Sequence, residues 1–299
     1  MSNPPQLILV GPRSTRQGTG PFVAAALVNA GARIIAIVGT STASVEEARL
    51  QLARDCAIDC VGYTDLGEAM RQQPADAVAL CSPWRFHAQQ LELVAGAGLH
   101  CLVEKPLVWP AVRDEVDSLV AQFEQRELLL QMVAQWPCTL TSFAALHGTS
   151  TASSRSFRMR LSPISIGPDM VTDSAPHFLS MLHALWGAGR CDKVRVEYSP
   201  RRADRASLCC EYQHRGGVAR AELLLQTCEQ RPRPAWYEID GRRVAREVEL
   251  PAYRQFFSSG ERRVALADPL QQVVEDFLSW LAGGARTDGA LLRLSLIHI

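Results

Sequence analysis

The chain has 299 residues, 47% apolar and 21% charged, an ordinary globular composition with the length for two domains and no internal repeat, low-complexity tract or heptad array. Lys plus Arg and Asp plus Glu each number 31, so the formal net charge is zero and no whole-molecule field draws the chain toward nucleic acid or an anionic membrane. The polar start Met1 to Gln6 is unlike a secretory leader, no apolar run has the length of a membrane span, and nine cysteines lack C-x-x-C spacing; these features predict a cytoplasmic protein with reduced thiols and no metal site.

Residues 7–10 predict a buried strand, 21–30 a helix and 33–38 a second strand. A helix is expected over 44–55, a short strand over 59–62, and a helix over 65–72 opened by the acidic cap Asp65. Residues 77–81 read as a strand, 86–97 as a helix ended by Gly98, 100–103 as a strand, 109–125 as a long helix and 128–133 as a last strand. Strands that are apolar throughout and alternate with helices predict an α/β domain over residues 1–136, a doubly wound parallel sheet covered on both faces.

The pattern changes after Gln135. Residues 137–154 are small, polar and weakly periodic, and read as a crossover. A strand is expected over 155–161 and a helix over 173–186, with Asp173 as its cap and Pro176 in its first turn. Alternating runs over 193–198, 206–214, 218–227, 235–239 and 243–248, with the hairpin signal Arg215-Gly216-Gly217, predict an α+β domain over 137–293 with a predominantly antiparallel open sheet. A capped helix over 268–281 repeats apolar residues at helical spacing, and Gly289 to Arg293 reads as the start of another. Leu294-Ser-Leu-Ile-His-Ile299 is what a DNA string resembling a transposase mosaic end would encode. It is read as a sequencing artefact that replaces the natural C-terminus.

Three segments carry candidate chemistry in the first domain. The loop after the first strand contains Gly11, Arg13, Arg16, Gly18 and Gly20 and opens a helix. Glycines there let a backbone approach a pyrophosphate, and the helix N-terminus supplies N–H groups and partial positive charge, although strict G-x-G-x-x-G spacing is absent. The second strand ends in hydroxyl residues, including Ser41 and Thr42, where an NAD site ordinarily has an acid. With Arg13 or Arg16 to hold a 2′-phosphate, this favours NADP(H) over NAD(H), while Ser41 or Thr42 is also a helix cap. Lys105 ends the fifth strand in Glu104-Lys105-Pro106, after a Ser82-Pro83…His87 segment at the end of the fourth.

Ala79-Leu-Cys-Ser-Pro-Trp-Arg-Phe-His87 followed by Leu99-His-Cys-Leu-Val-Glu-Lys-Pro106 resembles the glucose–fructose oxidoreductase, inositol dehydrogenase and MocA (Gfo/Idh/MocA) family. The resemblance implies a dinucleotide site built from Gly11, Arg13, Arg16, Gly18, Gly20, Ser41, Thr42, Ser82, Pro83, His87, Glu104 and Lys105. It also implies that Lys105 lies beside nicotinamide and substrate hydroxyl. Asp173-Ser-Ala-Pro-His177 resembles the family's D-x-x-x-H element, with both side chains on one helical face.

The implied activity is hydride transfer between a nicotinamide cofactor and a sugar, cyclitol or similar hydroxyl or carbonyl substrate. His177 is the proton acceptor, Lys105 steadies the oxygen and Asp173 orients His177, so Lys105 and His177 are expected to converge. Gln135 and Trp136, beyond the last strand of the first domain, are candidate substrate contacts; packing is the alternative for both. His183 is read as structural. Relatives associate through the second domain's sheet, which implies a homo-oligomer. The alternative is a catalytically silent dinucleotide-binding regulator or scaffold of the same fold.

Overall fold

The structure, a computed structural model, describes residues 3–13, 18–109, 113–148, 151, 153–199, 203–250, 254–283 and 292. Its internal contacts divide into two units, Met1–Val133 with Leu270–Arg293, and Ala134–Pro269.

In the first unit, β1 (Gln6–Val10), β2 (Arg33–Val38), β3 (Val61–Tyr63), β4 (Ala77–Leu80), β5 (His100–Val103) and β6 (Leu130–Met132) form one sheet in the order β3-β2-β1-β4-β5-β6. All five pairings are parallel. The strand sequences explain this: Leu7, Ile8 and Leu9 of β1 and all of β4 are buried, which only a sheet covered on both faces provides. The connecting helices are α1 (Gly20–Asn29), α2 (Thr42–Cys56), α3 (Leu66–Gln72), α4 (His87–Gly96) and α5 (Arg113–Gln125). The Ser41 and Ser44 side chains and backbones form a reciprocal capping box that opens α2, and Asp65 caps α3 through the Glu68 N–H. The strand order reverses between β1 and β4. Their C-terminal ends therefore flank the crevice where open α/β sheets bind ligands.

The second unit holds an eight-stranded sheet in the order β14-β13-β12-β11-β7-β10-β9-β8. Its strands are β7 (Ser156–Leu161), β8 (Gly189–Tyr198), β9 (Arg205–His214), β10 (Gly217–Gln226), β11 (Trp236–Ile239), β12 (Arg242–Glu249), β13 (Arg254–Ser259) and β14 (Arg262–Leu266). Pairing is antiparallel except between β7 and β10. Alternation sets the faces: Phe157, Met159 and Leu161 of β7 are buried, and Arg158 and Arg160 lie on the opposite face. The buried face packs beneath α6 (Leu140–His147) and α7 (Pro168–Trp186) in one apolar cluster that includes Phe143, Phe178 and Tyr237. The Tyr237 hydroxyl donates to the Thr139 carbonyl at 2.9 Å, which satisfies a polar group deep in that core.

Several expectations need correction. The segment 137–154 is not merely a crossover, because a 3-10 turn (Trp136–Thr139) and α6 occupy it, fixed by buried Thr139, Phe143 and Leu146. α7 begins at Pro168 rather than at Asp173. Gly167 at φ +61° turns the chain and Pro168 takes the first turn, where a missing N–H costs nothing. Asp173 is therefore not a cap, and Pro176 lies inside the helix. β13 and β14 were not anticipated: both are short and carry few buried residues.

The helix expected over 268–281 is α8 (Pro269–Leu281), and it groups with the first unit, so the second domain closes at Pro269 rather than at 293. Leu270, Val273, Val274, Phe277 and Leu278 are buried, and the Gln131 amide donates to the Val273 carbonyl at 3.3 Å. Leu292 is buried as well, whereas residues 289–291 and 293 of the further helix, and the tail 294–299, lie outside the described residues. Phe277 is fully buried. Phe277→Ala is expected to lower unfolding free energy by about 3–5 kcal/mol, read as a fall in urea midpoint at constant m.

Candidate dinucleotide and catalytic site

The crevice between β1 and β4 is built by close backbone approach. Gly11 follows β1 at φ +75°, and its N–H donates to the Val38 carbonyl at 3.0 Å. A Cβ on Gly11 would stand 2.6 Å from the Cys81 carbonyl oxygen, and one on Gly20 would run into the Gly11 carbonyl. Only glycine fits either position. No side chain caps α1 and no acid stands in its first turn, so the positive end of its dipole is not neutralised locally. Thr19 precedes it, and Gly18 is partly buried. This cradle fits a dinucleotide pyrophosphate.

Arg13 forms an ion pair with Glu47 on α2, Nη2 to Oε2, at 2.7 Å. Arg16 lies outside the described residues. Ser41 and Thr42 are exposed at the exit of β2. The Ser41 hydroxyl accepts from the Ser44 N–H at 3.2 Å, so its capping role is realised.

Beyond β4, Ser82 is buried and its hydroxyl donates to Gln90, while Pro83 is exposed. His87 opens α4 fully buried. Its Nε2 faces the Ser82 carbonyl at 2.8 Å, and its Nδ1 faces the Pro106 carbonyl at 2.9 Å and that of Leu107 at 3.2 Å. His87 therefore ties the β4 exit to the β5 exit. Both of its ring nitrogens face backbone carbonyls. Burial pushes its pKa below the ordinary histidine range, against the carbonyl contacts, which favour the charged ring.

Glu104 ends β5 buried beneath the turn that carries Lys105. Its Oε2 accepts from the Lys105 N–H at 3.1 Å. Burial raises the Glu104 pKa, with Lys105 and the Thr19 hydroxyl opposing. Glu104 thus fixes the backbone of Lys105 from below. The Lys105–Pro106 peptide is cis.

In the second unit, α7 is buried along most of its middle. Asp169, Asp173 and His177 form an accessible stripe at intervals of one turn. The Ser165 hydroxyl donates to Asp173 Oδ2 at 2.6 Å, which fixes the carboxylate from the preceding loop. His183 is partly buried near the end of α7. Trp136 is mostly buried, edge-on to Tyr237 and Phe257 with ring centres 6.3 Å away. Gln135 lines a small open pocket with Trp136, Thr139, Arg246, Gln255 and Phe257.

The structure thus brings Gly11, Gly20, Ser82, Glu104 and Lys105 to one edge of the first sheet, and Asp173 with His177 to one stripe of α7. Sequence reasoning missed Thr19, Cys81, Gln90 and Glu47 as neighbours of these groups. Gln90, three residues after His87, stands on the same helical face, a spacing that points to it. Among the described residues no group of three or more His, Cys, Asp and Glu is arranged to hold a metal ion, and no helix is long and apolar enough to cross a membrane.

Residues 16–134 match the Gfo/Idh/MocA family model, described as an oxidoreductase family with an NAD-binding Rossmann fold. No curated protein matches the sequence. Among solved structures, the chain is similar to UDP-N-acetylglucosamine 3-dehydrogenase from Acidithiobacillus ferrooxidans, at 21% identity, TM-score 0.72, covering 98% of this chain and 94% of that one. A dehydrogenase from Chromobacterium violaceum is similar at 15% identity and TM-score 0.74, covering 99% and 93%. An Agrobacterium radiobacter oxidoreductase, in complex with NAD+, L-tartaric acid and magnesium, is similar at 14% identity and TM-score 0.66, covering 97% and 93%.

Two outcomes test the site. Gly20→Ala places a methyl against the Gly11 carbonyl; it is expected to cost about 1–3 kcal/mol and to weaken dinucleotide binding, measured by thermal melts and calorimetry. His87 has a folded pKa below that of the unfolded chain, about 6.5. The unfolded state therefore binds more protons as pH falls below that value, and stability is lost as pH drops through that window. Denaturation at pH 7 and pH 5 should show a larger loss for the native protein than for His87→Asn.

Proposed function

We propose that the protein, whose residues 16–134 match the Gfo/Idh/MocA family model of NAD-binding oxidoreductases, transfers hydride reversibly between a nicotinamide dinucleotide and a sugar, cyclitol or similar hydroxyl or carbonyl substrate. The observation that carries the reading is the position of Lys105. It stands at the C-terminal edge of the sheet that holds the Gly11–Gly20 cradle, on a turn held by Glu104 from within and by the His87 contact to Pro106. A cation so anchored is preorganised to steady negative charge on an oxygen. The similarity to a sugar-nucleotide dehydrogenase supports the substrate class.

When bound, the nicotinamide exchanges hydride at C4. Gly11, Gly18 and Gly20 admit the pyrophosphate, with Ser82 and Pro83 beside it at the β4 exit. Ser41 and Thr42 offer hydroxyls to the adenosine ribose, and with Arg13 they favour NADP(H) over NAD(H). In the oxidation direction, Lys105 orients the substrate hydroxyl and stabilises its oxygen as the proton leaves. His177 accepts that proton, and Asp173, itself fixed by Ser165, orients His177. The reading requires Lys105 and His177 to serve the same hydroxyl. Gln135 contributes to substrate selection. The exposed face of the second sheet, with Arg158 bridging Glu222 and Glu238, is the association surface of a homo-oligomer. The activity is assigned to the cytoplasm.

The test is a turnover screen of sugars, sugar nucleotides and cyclitols with both dinucleotides. Lys105→Met is expected to lower kcat by about 10²–10³-fold with dinucleotide Kd unchanged within a few-fold. His177→Asn is expected to lower kcat by about 10²–10⁴-fold and to flatten the rise of oxidation rate with pH that a general base imposes. Full activity in either variant, or folded protein that binds neither dinucleotide, overturns the reading.

A further inference from the structure

NAD and NADP differ in one group, a 2′-phosphate, so the charges at the ribose end of the site decide between them. The β2 exit, residues 39–42, contains no acid to repel that phosphate. Arg13 is the cation contributed by the described part of the neighbouring loop, two residues beyond the Gly11 N–H bonded to the last residue of β2. Its guanidinium is already engaged, at 2.7 Å, by the carboxylate of Glu47 in the second turn of α2. The pair is specific within its surroundings. The adjacent acid, Glu46, has its own partner in Arg49 at 2.9 Å, and Arg49 is further held by the Cys60 carbonyl. Arg13 and Glu47 therefore neutralise each other.

We infer that Glu47 sets the dinucleotide preference of this protein by holding Arg13 in an ion pair that a 2′-phosphate must open or share. The inference rests on the proposed dinucleotide site and deepens it. A guanidinium has five donors and can serve two anions, but a phosphate that approaches Arg13 also approaches the Glu47 carboxylate and is repelled by it. A 2′-hydroxyl meets neither cost. Glu47 thus lowers affinity for NADP(H) and leaves affinity for NAD(H) unchanged, so the preference that Arg13 gives to NADP(H) is held to a narrow margin. The side chains are 36% and 64% exposed, so the effect has the size of a surface ion pair and is screened by salt.

Calorimetric titration of NADP+ and NAD+ into the native protein, Glu47→Gln, Arg13→Ala and the double variant tests this. In Glu47→Gln the ratio of NADP+ to NAD+ affinity should rise about three- to tenfold, with the NAD+ Kd constant, and the rise should shrink in high salt. Arg13→Ala should lower the ratio, and Glu47→Gln should add nothing in that background. The inference is overturned if Glu47→Gln changes both affinities equally or neither, or if it still shifts the ratio when Arg13 is absent. A native protein that binds both dinucleotides while the ratio stays constant removes only the role of Glu47. A native protein that binds neither removes the dinucleotide site itself, and this inference with it.

Discussion

Everything in the first unit depends on how closely the backbone of the β1 exit approaches that of its neighbours. Gly11 lies against Cys81 so tightly that a Cβ would collide, and Gly20 lies in the same way against Gly11. This contact fixes the start of α1 beside the exit of β4, at the point where the strand order reverses. A bulkier residue at either position would lift α1 and remove the uncapped helix end from the crevice. The long loop between the two glycines departs from the usual spacing, yet the two positions where sterics demand glycine are kept.

The second determinant is the tie between the β4 and β5 exits. Parallel strands deliver the loops that follow them to the same edge, and beyond the paired residues Leu80 and Val103 the backbone tie between the two exits is the Glu104 N–H bond to the Leu80 carbonyl at 2.8 Å. His87 adds a side-chain connection by facing carbonyls from both loops, and the Glu104 carboxylate holds the Lys105 N–H within the β5 exit. Both are buried ionisable groups whose charged forms are disfavoured by desolvation, with pKa directions opposite for base and acid. Their contribution is to hold geometry. Lys105 gains its orientation from them.

In the second unit the sheet does comparable work for α7. Its inner face buries most of the helix and leaves the Asp169, Asp173 and His177 stripe accessible. The internal Pro176 removes a helical N–H one residue before His177, and the surrounding apolar packing tolerates that loss. Ser165 then fixes the carboxylate that faces along the stripe.

The sequence by itself determined the doubly wound parallel sheet, because fully apolar strands alternating with amphipathic helices can be buried in few other ways, while the order of the strands came from the structure. It also marked Gly11 and Gly20, which follow a strand and open a helix, while Lys105, Asp173 and His177 were marked by the resemblance of their motifs to those of a known family. The tertiary structure decided what periodicity cannot carry. The start of α7 at Pro168 depends on a left-handed glycine, α6 on burial of a few residues in a polar segment, and the membership of α8 in the first unit on which core receives its apolar face. It also decided that both His87 ring nitrogens face backbone carbonyls, and that Arg13 meets Glu47. Those partners are distant in sequence, and a side chain's partner is fixed only when the chain brings the two together.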